Sequence, residues 1–257
     1  MIKAPPSVVT LSTAERLVEA VAQELVTHLL WLSNIRDHPL DVFLSGGPVG
    51  LGALRQMRTN PLIGEIRWNL IRFWWSEERW LPSGHPDRFE QAARQALLNH
   101  IDIPAANIRP MPGPDSFSSV RQAAEAYEAE MRMCPRSYPA AVTLLDVSED
   151  GHVAGLHRGS RGLRDDAPLV LPSPDGLTIT KSAIDYSQEL WIMTAGSDKR
   201  QAVASFLKYR DLWSHRSCKD VGNARKNAAL EKAAHKTPAN QISTSHATWF
   251  IDQASVA

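Results

Sequence analysis

Hydrophobic residues along the chain alternate between helical spacing and short continuous runs. Ser12 and Glu15 have the spacing of a capping box, and leucine, valine and alanine recur at helical spacing over residues 16–33. An apolar run over 41–45 ends at two glycines, and helical spacing resumes over 50–58. This part of the sequence predicts a helix, a buried strand, a tight turn and a second helix.

The same alternation continues along the rest of the chain. Further apolar runs predict strands at 70–75, 140–145 and 190–194. Helical spacing predicts helices at 86–100, 120–133 and 197–209. Residues 1–6 are expected to lead into a mixed polar helix. Residues 210–245, rich in Lys, Arg, Asn and Ala, indicate a helix with loops or a mobile segment.

Strands that alternate with helices predict the α/β class. Right-handed crossovers between such strands give a mostly parallel, Rossmann-like β-sheet with helices on both faces. A ligand is then expected at the carboxyl ends of the strands. Three of the four strand ends carry glycine or charged residues, which favours an enzyme over a scaffold. We interpret residues 1–257 as a single domain.

Composition narrows the possible partners. Lys+Arg and Asp+Glu both number 28, so no overall basic field attracts nucleic acid or an anionic membrane. No run approaches ~18 apolar residues, and no secretory signal is recognised, so a cytoplasmic location is expected. Cys134 and Cys218 are too few for a disulfide framework and lack metal-ligand spacing. We expect a monomer or weak homodimer without cofactors.

The turn Ser45-Gly46-Gly47 lies between a predicted strand and a predicted helix. Free backbone N–H groups and the helix dipole favour an anion there, and glycine permits close approach. The spacing matches neither a Walker loop nor a dinucleotide fingerprint. The sequence therefore indicates either a phosphate site or a tight turn that needs glycine.

Two cationic side chains lie where strands are predicted to end. Arg79 follows Glu77 and Glu78, and its guanidinium could face a phosphate or a developing oxyanion. The alternative is a surface ion-pair cluster. Lys199 opens a predicted helix and could reach an anion at the sheet edge. The alternative is a solvated lysine in a first helical turn.

His152 follows Asp150 and Gly151 on a loop after a buried strand. A histidine beside a carboxylate is the usual general base near neutral pH, although loop and core histidines are more common. His157 is five residues further on, which is not a helical metal pair, and no third ligand is expected nearby, so no metal is predicted. With no Ser-His-Asp or Cys-His signature recognised, activated water is the expected nucleophile.

Five segments, taken in order, resemble the 6-phosphogluconolactonase family of the glucosamine-6-phosphate isomerase/6-phosphogluconolactonase superfamily. The family pattern is S-G-G, D-E-R-x-V-P, G-x-G-x-D-G-H-x-A-S-L-F-P-G, G-x-x-K and a closing aromatic strand with an aspartate. The corresponding segments here are Ser45-Gly46-Gly47, Glu77-Glu78-Arg79-Trp80-Leu81-Pro82, residues 146–159 with Glu149-Asp150-Gly151-His152, Gly196-Ser197-Asp198-Lys199 and Thr248-Trp249-Phe250-Ile251-Asp252.

The resemblance implies a lactone hydrolase that converts 6-phospho-D-glucono-1,5-lactone to 6-phospho-D-gluconate in the pentose phosphate pathway, without metal or nucleotide. It implies that His152 activates water and that Asp150 supports it. Arg79 and Lys199 would be cations for phosphate or oxyanion. The catalytic positions carried over are Arg79, Asp150 and His152, and the substrate- or phosphate-binding positions are Ser45, Gly46, Gly47, Glu78, Gly151 and Lys199.

The chain also departs from the family pattern. Asp146 and Ser148 replace both glycines of G-x-G, and residues 155–158 replace S-L-F-P. Other departures are Glu77 for aspartate, Phe89 for asparagine and Gly176 for arginine. A catalytically impaired sugar-phosphate-binding homologue is therefore an alternative. A glucosamine-6-phosphate deaminase-type isomerase is a second alternative, but its asparagine-glutamate-proline run is not matched.

Overall fold

The computed structural model of the protein describes residues 4–133, 139–215, 223–242 and 244–256. The strands are β1 Ser7–Leu11, β2 Leu40–Leu44, β3 Ile71–Trp75, β4 Glu77–Arg79, β5 Ile108–Arg109, β6 Ala140–Asp146, β7 Val170–Pro172, β8 Gly176–Ile179, β9 Ser187–Thr194 and β10 Ala247–Asp252. The helices are α1 Ala14–Ile35, α2 Pro48–Met57, α3 Phe89–Ala96, α4 Val120–Met133, α5 Lys181–Ile184, α6 Arg200–Ser214, α7 Ala224–Ala234, α8 Pro238–Ile242 and α9 Gln253–Val256.

Seven strands form one parallel sheet in the order β1-β10-β9-β6-β2-β3-β5. This arrangement confirms the predicted α/β class. β2 and β6 are buried along almost their whole length, in keeping with their continuous apolar sequences. Helix α1 covers the sheet with an apolar stripe at helical spacing, Leu17, Val21, Leu25 and Leu29, all fully buried. Each such leucine or valine contributes about 1.5–3 kcal/mol by leaving water.

The N-terminal prediction was wrong. Residues Ser7–Leu11 form an edge strand that pairs in parallel with β10, rather than leading into a helix. The β-branched run Val8-Val9-Thr10 suits this strand, but its side chains are only partly buried, so it lacked the apolar signal of the inner strands. The N-cap of α1 is Thr13, not Ser12, because the Thr13 hydroxyl accepts the N–H of Arg16.

A second, antiparallel sheet has the order β4-β8-β7. The sequence indicated a charged strand end at residues 77–79, but these residues instead form a new strand. Ser76 makes the break, since its N–H and its hydroxyl both donate to the carbonyl of Leu44. The predicted helix at 86–100 is also shorter, because Arg88 has extended backbone angles and α3 begins after it. Strand β4 of the small sheet therefore follows directly from the carboxyl end of β3.

The C-terminal third is mainly helical where it is described. α6 continues to Ser214, and α7 and α8 follow within the segment that the sequence left open. Cys134 and Cys218 lie outside the described residues. Within the described ranges, no helix combines the length and apolar character needed to span a bilayer.

The strand order reverses between β2 and β6. From β2 the chain adds β3 and β5 on one side, and it then returns to place β6 on the other side of β2. In open parallel sheets, ligands bind outside the carboxyl ends of the strands at such a reversal. The segments that follow β2 and β6, residues 45–47 and 146–152, therefore meet where the topology favours a site.

Candidate active site

A cavity of about 270 Å³ lies at this reversal of strand order. Its walls come from the turn after β2, strand β4, the loop after β6, strand β8 and the turn before α6. The predicted site residues that line it are Gly46, Gly47, Glu78, Arg79, His152 and Lys199. Ser45, Asp150 and Gly151 are not among the lining residues. The fold therefore brings six of the nine predicted residues to one cavity.

His152 is held between two oxygen atoms. Its Nδ1 lies 2.6 Å from Asp150 Oδ1, and its Nε2 lies 3.0 Å from Ser148 Oγ. Partial burial alone would raise the pKa of Asp150, but hydrogen bonds from His152 outweigh burial and lower that pKa below its usual value. Because a carboxylate only accepts, we assign the proton to Nδ1, which leaves Nε2 as the acceptor. The ring therefore has the tautomer that a general base requires.

Ser148 is a site residue that sequence reasoning missed. No Ser-His-Asp arrangement was expected, yet Ser148, His152 and Asp150 form a continuous hydrogen-bonded series beside the cavity. The sequence did carry one indication, since Ser148 replaces a glycine of the family pattern. That replacement was interpreted only as the loss of a glycine that the turn needs. Sequence spacing gave no indication that the loop would bring the hydroxyl back to the imidazole.

The loop after β6 owes its shape to two residues with positive φ. Gly151 has φ +82°, and its N–H donates to the Ser148 carbonyl. Ala154 has φ +48°, the one positive value at a non-glycine residue within the described ranges. Gly151 is buried, and a side chain at this position would collide with Thr237. Its role is to turn the chain so that His152 faces Ser148.

The N-terminus of α2 already holds an anion from the chain itself. Asp146 accepts the N–H groups of Val49 at 2.9 Å and Gly50 at 3.1 Å. The buried Ser45 hydroxyl accepts from the N–H groups of Asp146 and Gly47. A side chain at Gly47 would collide with Asp146. The expectation of free N–H groups at the start of this helix was therefore wrong, because Asp146, which replaces a glycine of the family pattern, accepts them.

Glu77 and Asp146 form an unusual pair in the cavity wall. Burial, the nearby Asp146 and Glu78 raise the pKa of Glu77 to about 7, although Arg79 opposes the shift. Burial also raises the pKa of Asp146 to about 6, although hydrogen bonds at the α2 N-terminus and Lys199 lower it. The raised pKa of Glu77 favours its protonated form as the pH falls below about 7.

Arg79 and Lys199 both line the cavity and bring positive charge to it. The exposed Arg79 donates to the Asp87 carbonyl at 2.9 Å, and its guanidinium carbon lies 4.9 Å from the centre of the Phe89 ring. Phe89 packs directly over Gly46, where a side chain would collide with the ring. The Nζ of Lys199 donates to Asp198 at 2.6 Å.

The position of Lys199 depends on the closing strand. Gly196 has φ +101°, and its N–H donates to the buried carboxylate of Asp252 at 3.1 Å. Asp252 also accepts the N–H of Ser255 in α9. The aspartate of the closing strand therefore fixes the turn that presents Lys199.

Glu78 lines the cavity and also has a structural role. Its buried carboxylate accepts the backbone N–H groups of Arg79, Phe89 and Glu90 at 2.8–2.9 Å. The guanidinium of Arg88, also buried, lies 3.6 Å away. Glu78 thus anchors the start of α3 and has little capacity left for a ligand. Sequence reasoning missed Arg88, since a lone arginine in a polar segment carries no sign of burial.

His157 packs beside His152, with 4.2 Å between the ring centres. Ligand atoms of Asp150, His152 and His157 all lie within 4.8 Å of one another. The expectation that no third possible metal ligand lies near the two histidines was therefore wrong. The loop folds back through bridges between Val147, Val153 and Leu156, which spacing along the sequence does not reveal.

Several known proteins that are similar to this chain have the name 6-phosphogluconolactonase. The family model for glucosamine-6-phosphate isomerases/6-phosphogluconolactonase matches residues 12–249. A 6-phosphogluconolactonase of Mycobacterium leprae is 32% identical over 214 residues, which cover 78% of this chain and 85% of that protein. The Streptomyces coelicolor protein of the same name is 33% identical over 217 residues, or 79% and 83% of the two chains.

Solved structures agree on the fold. The 6-phosphogluconolactonase of Thermotoga maritima has a TM-score of 0.73 at 21% identity and covers 96% of this chain and 100% of its own. A monomeric glucosamine-6-phosphate deaminase has a TM-score of 0.74 at 16% identity, with coverage of 97% and 98%. The fold is thus shared by two activities. From the family match over residues 12–249, the chain belongs to the glucosamine-6-phosphate isomerase/6-phosphogluconolactonase family.

Proposed function

We propose that this chain hydrolyses 6-phospho-D-glucono-1,5-lactone to 6-phospho-D-gluconate, a step of the pentose phosphate pathway. The observation that carries the proposal is the Asp150–His152 pair, which presents Nε2 at a cavity that Arg79 and Lys199 also line. The names of the relatives, at 32–33% identity over most of the chain, support the same substrate. Hydrolysis of an ester needs a base that deprotonates the nucleophile and a positive charge that stabilises the oxyanion formed from the carbonyl oxygen.

In the proposed mechanism, His152 acts as a general base. Nε2 takes a proton from the nucleophile, which in the simplest form is water, and the resulting hydroxide adds to the lactone carbonyl carbon. Arg79 or Lys199 stabilises the negative oxygen of the tetrahedral intermediate. The ring C–O bond then breaks, and the leaving oxygen takes the proton from His152. Asp150 holds the imidazole in one tautomer and stabilises its protonated form.

Of Arg79 and Lys199, the cation that does not stabilise the oxyanion recognises the phosphate. The N–H groups of Val49 and Gly50 are taken by Asp146, so the N-terminus of α2 does not contribute to phosphate binding. A cavity of about 270 Å³ is close to the lower limit of about 300 Å³ for small-molecule sites. It suits one sugar phosphate and leaves little room for a nucleotide.

The second candidate function is a sugar-phosphate-binding protein with impaired turnover. Asp146 and Phe89 favour this function, because both side chains fill the space directly over the glycine turn. The family pattern has glycine at position 146 and asparagine at position 89. The deaminase-type isomerase has less support. The fold is shared with a deaminase, but residues 155–158 lack the asparagine-glutamate-proline run expected of that activity.

Two assays and one binding measurement separate these functions. The purified chain is incubated with 6-phosphogluconolactone, with correction for spontaneous hydrolysis, and in parallel with glucosamine 6-phosphate. We expect acceleration of lactone hydrolysis and no release of ammonia. Calorimetric binding of 6-phosphogluconate without lactone hydrolysis would instead support the binding protein, and ammonia release would support the isomerase.

A further inference from the structure

Ser148 contacts the proposed base, yet the water mechanism gives it no task. Its Oγ lies 3.0 Å from His152 Nε2, which is the nitrogen left free to accept a proton. The other ring nitrogen lies 2.6 Å from Asp150 Oδ1. Serine, histidine and carboxylate are thus linked in the order that activates a serine hydroxyl in acyl-transfer enzymes. Such triads are recognised by geometry and not by position in the sequence.

We propose that Ser148 is a catalytic nucleophile and that Ser148, His152 and Asp150 form a Ser-His-Asp triad acting on lactones and related carboxylic esters. The choice of sugar-phosphate lactone as substrate rests on the proposed function, whereas the triad itself rests on the side-chain geometry. Ser148 and His152 both line the cavity, and Ser148 is only partly buried. A substrate carbonyl that enters this cavity can therefore reach the hydroxyl.

Acylation needs only Ser148, His152 and the lactone. Ser148 Oγ forms a bond to the lactone carbonyl carbon while its proton passes to His152 Nε2. The tetrahedral intermediate then breaks its bond to the ring oxygen, which takes the proton from His152. The product is an ester between Ser148 and the opened 6-phosphogluconyl chain. Nothing is oxidised or reduced, and no atom leaves.

Deacylation requires only water. His152 Nε2 takes a proton from a water molecule, and the hydroxide adds to the carbonyl carbon of the acyl-enzyme. The bond to Ser148 Oγ then breaks, and the oxygen recovers the proton from His152. The net reaction is addition of one water to the lactone, the same as in the direct mechanism. Product analysis alone therefore cannot separate the two routes.

Positive side chains must stabilise the oxyanion in this site. The backbone N–H of Ser148 donates to the His152 carbonyl at 2.9 Å, so it is not available for the nucleophile's own oxyanion. Arg79 and Lys199 line the same cavity and carry the charge that this role needs. The triad thus differs from enzymes in which the nucleophile's N–H builds the oxyanion hole.

Covalent labelling distinguishes a nucleophile from a serine that only orients His152. The wild-type protein is treated with a fluorophosphonate probe, and the labelled peptide is mapped by mass spectrometry. We expect one label per chain at Ser148 and at least tenfold less labelling in Ser148→Ala and His152→Ala. Ser173→Ala is the matched control, since Ser173 lines the same cavity, and it should retain the label. Rapid quenching with lactone should show a mass increase equal to the whole lactone.

The possible results separate this inference from the proposed function. The proposal that Ser148 is a nucleophile is overturned if neither a label nor a lactone adduct forms and if the hydrolysis rate is unchanged in Ser148→Gly and Ser148→Ala. The protein is then a lactonase that uses water directly. A label at Ser148 without lactone hydrolysis supports the triad and overturns the proposed substrate. Labelling of the wild-type protein needs no variant, so a variant that fails to fold does not prevent a decision.

Discussion

Asp146 accepts the Val49 N–H at 2.9 Å, across 97 positions of sequence, and places a carboxylate at the N-terminus of α2. A helix N-terminus attracts anions through its free N–H groups and its dipole. Here the anion is part of the protein, at the point where a phosphate was expected from the glycine turn. Asp146 therefore helps to set the charge of the cavity, together with Glu77, Arg79 and Lys199.

Removal of that carboxylate should improve anion binding. In Asp146→Gly, the N–H groups of Val49 and Gly50 become available and one negative charge leaves the cavity. We expect the affinity for 6-phosphogluconate to rise about tenfold, as the interaction of an anion with a helix N-terminus is worth up to about 2 kcal/mol. Isothermal titration calorimetry measures the change. Asp175→Asn, which removes charge elsewhere in the same cavity, should give a smaller gain. Equal gains in both variants would contradict the specific role of Asp146.

Glu77 should make the stability of the protein depend on pH. Its pKa rises on folding from the ordinary 4.5 to about 7, so the folded state binds more protons in this range and loses stability as pH increases through it. Glu77→Gln removes this loss. We expect the Tm of Glu77→Gln, relative to wild type, to be higher at pH 8 than at pH 5, by differential scanning calorimetry. A difference that does not change with pH would show that Glu77 ionises normally.

Asp150 should affect catalysis much more than stability. Asp150→Asn removes the carboxylate that holds the proton on His152 Nδ1 and stabilises the charged ring. We expect kcat to fall by about 10²–10⁴-fold with little change in KM, by comparison with the loss of the triad carboxylate in serine proteases. The Asp150 side chain is 62% exposed, so the Tm should change little. A rate within threefold of wild type would rule out this role.

Glu78 should be important for stability. Glu78→Gln leaves one buried N–H or the Arg88 guanidinium without its charged acceptor. The free energy of unfolding should fall by about 2–4 kcal/mol, measured by urea denaturation. Glu65→Gln, at an exposed glutamate, is the control and should cause a negligible change. An unaltered stability combined with lost substrate affinity would restore the substrate contact that the sequence suggested.

Zinc should inhibit the protein without being required by it. Hydrolysis should persist in EDTA, because the proposed mechanism uses only side chains. Added Zn²⁺ should inhibit, since Asp150, His152 and His157 bring suitable ligand atoms within 4.8 Å of one another and His152 is the base. Replacing His157 with phenylalanine, the residue of the family pattern, should weaken inhibition at least tenfold. Loss of activity in EDTA would contradict the metal-free mechanism.

The sequence predicted the framework of the site because that framework follows from local patterns. Buried strands are visible as apolar runs, and the geometry of a parallel sheet then brings residues 45–47 and the His152 loop to one edge. The edge strand Ser7–Leu11 escaped prediction since its side chains are mostly exposed. Strand β4 of the small antiparallel sheet was also missed, because its three charged residues carry no strand signal.

The chemistry within the site depends on contacts that no local pattern contains. Asp146 reaches Val49 only after β2 and β6 have become neighbours. Ser148 meets His152 because Gly151 adopts positive φ, and the two residues that replaced family glycines were interpreted as losses. The structure instead gives each of them a polar partner. The effect of a departure from the family pattern therefore becomes clear only once the contacts of the new side chain are known.

The effect of His152→Ala on lactone hydrolysis tests the central claim most directly. The rate is measured with the purified variant, the wild type and His100→Ala, which alters an exposed histidine outside the cavity. We predict that kcat/KM falls by about 10²–10⁴-fold in His152→Ala, the usual contribution of a general base, and stays unchanged in His100→Ala. A wild-type rate equal to spontaneous hydrolysis, or an enzymatic rate that survives in His152→Ala, would contradict the account.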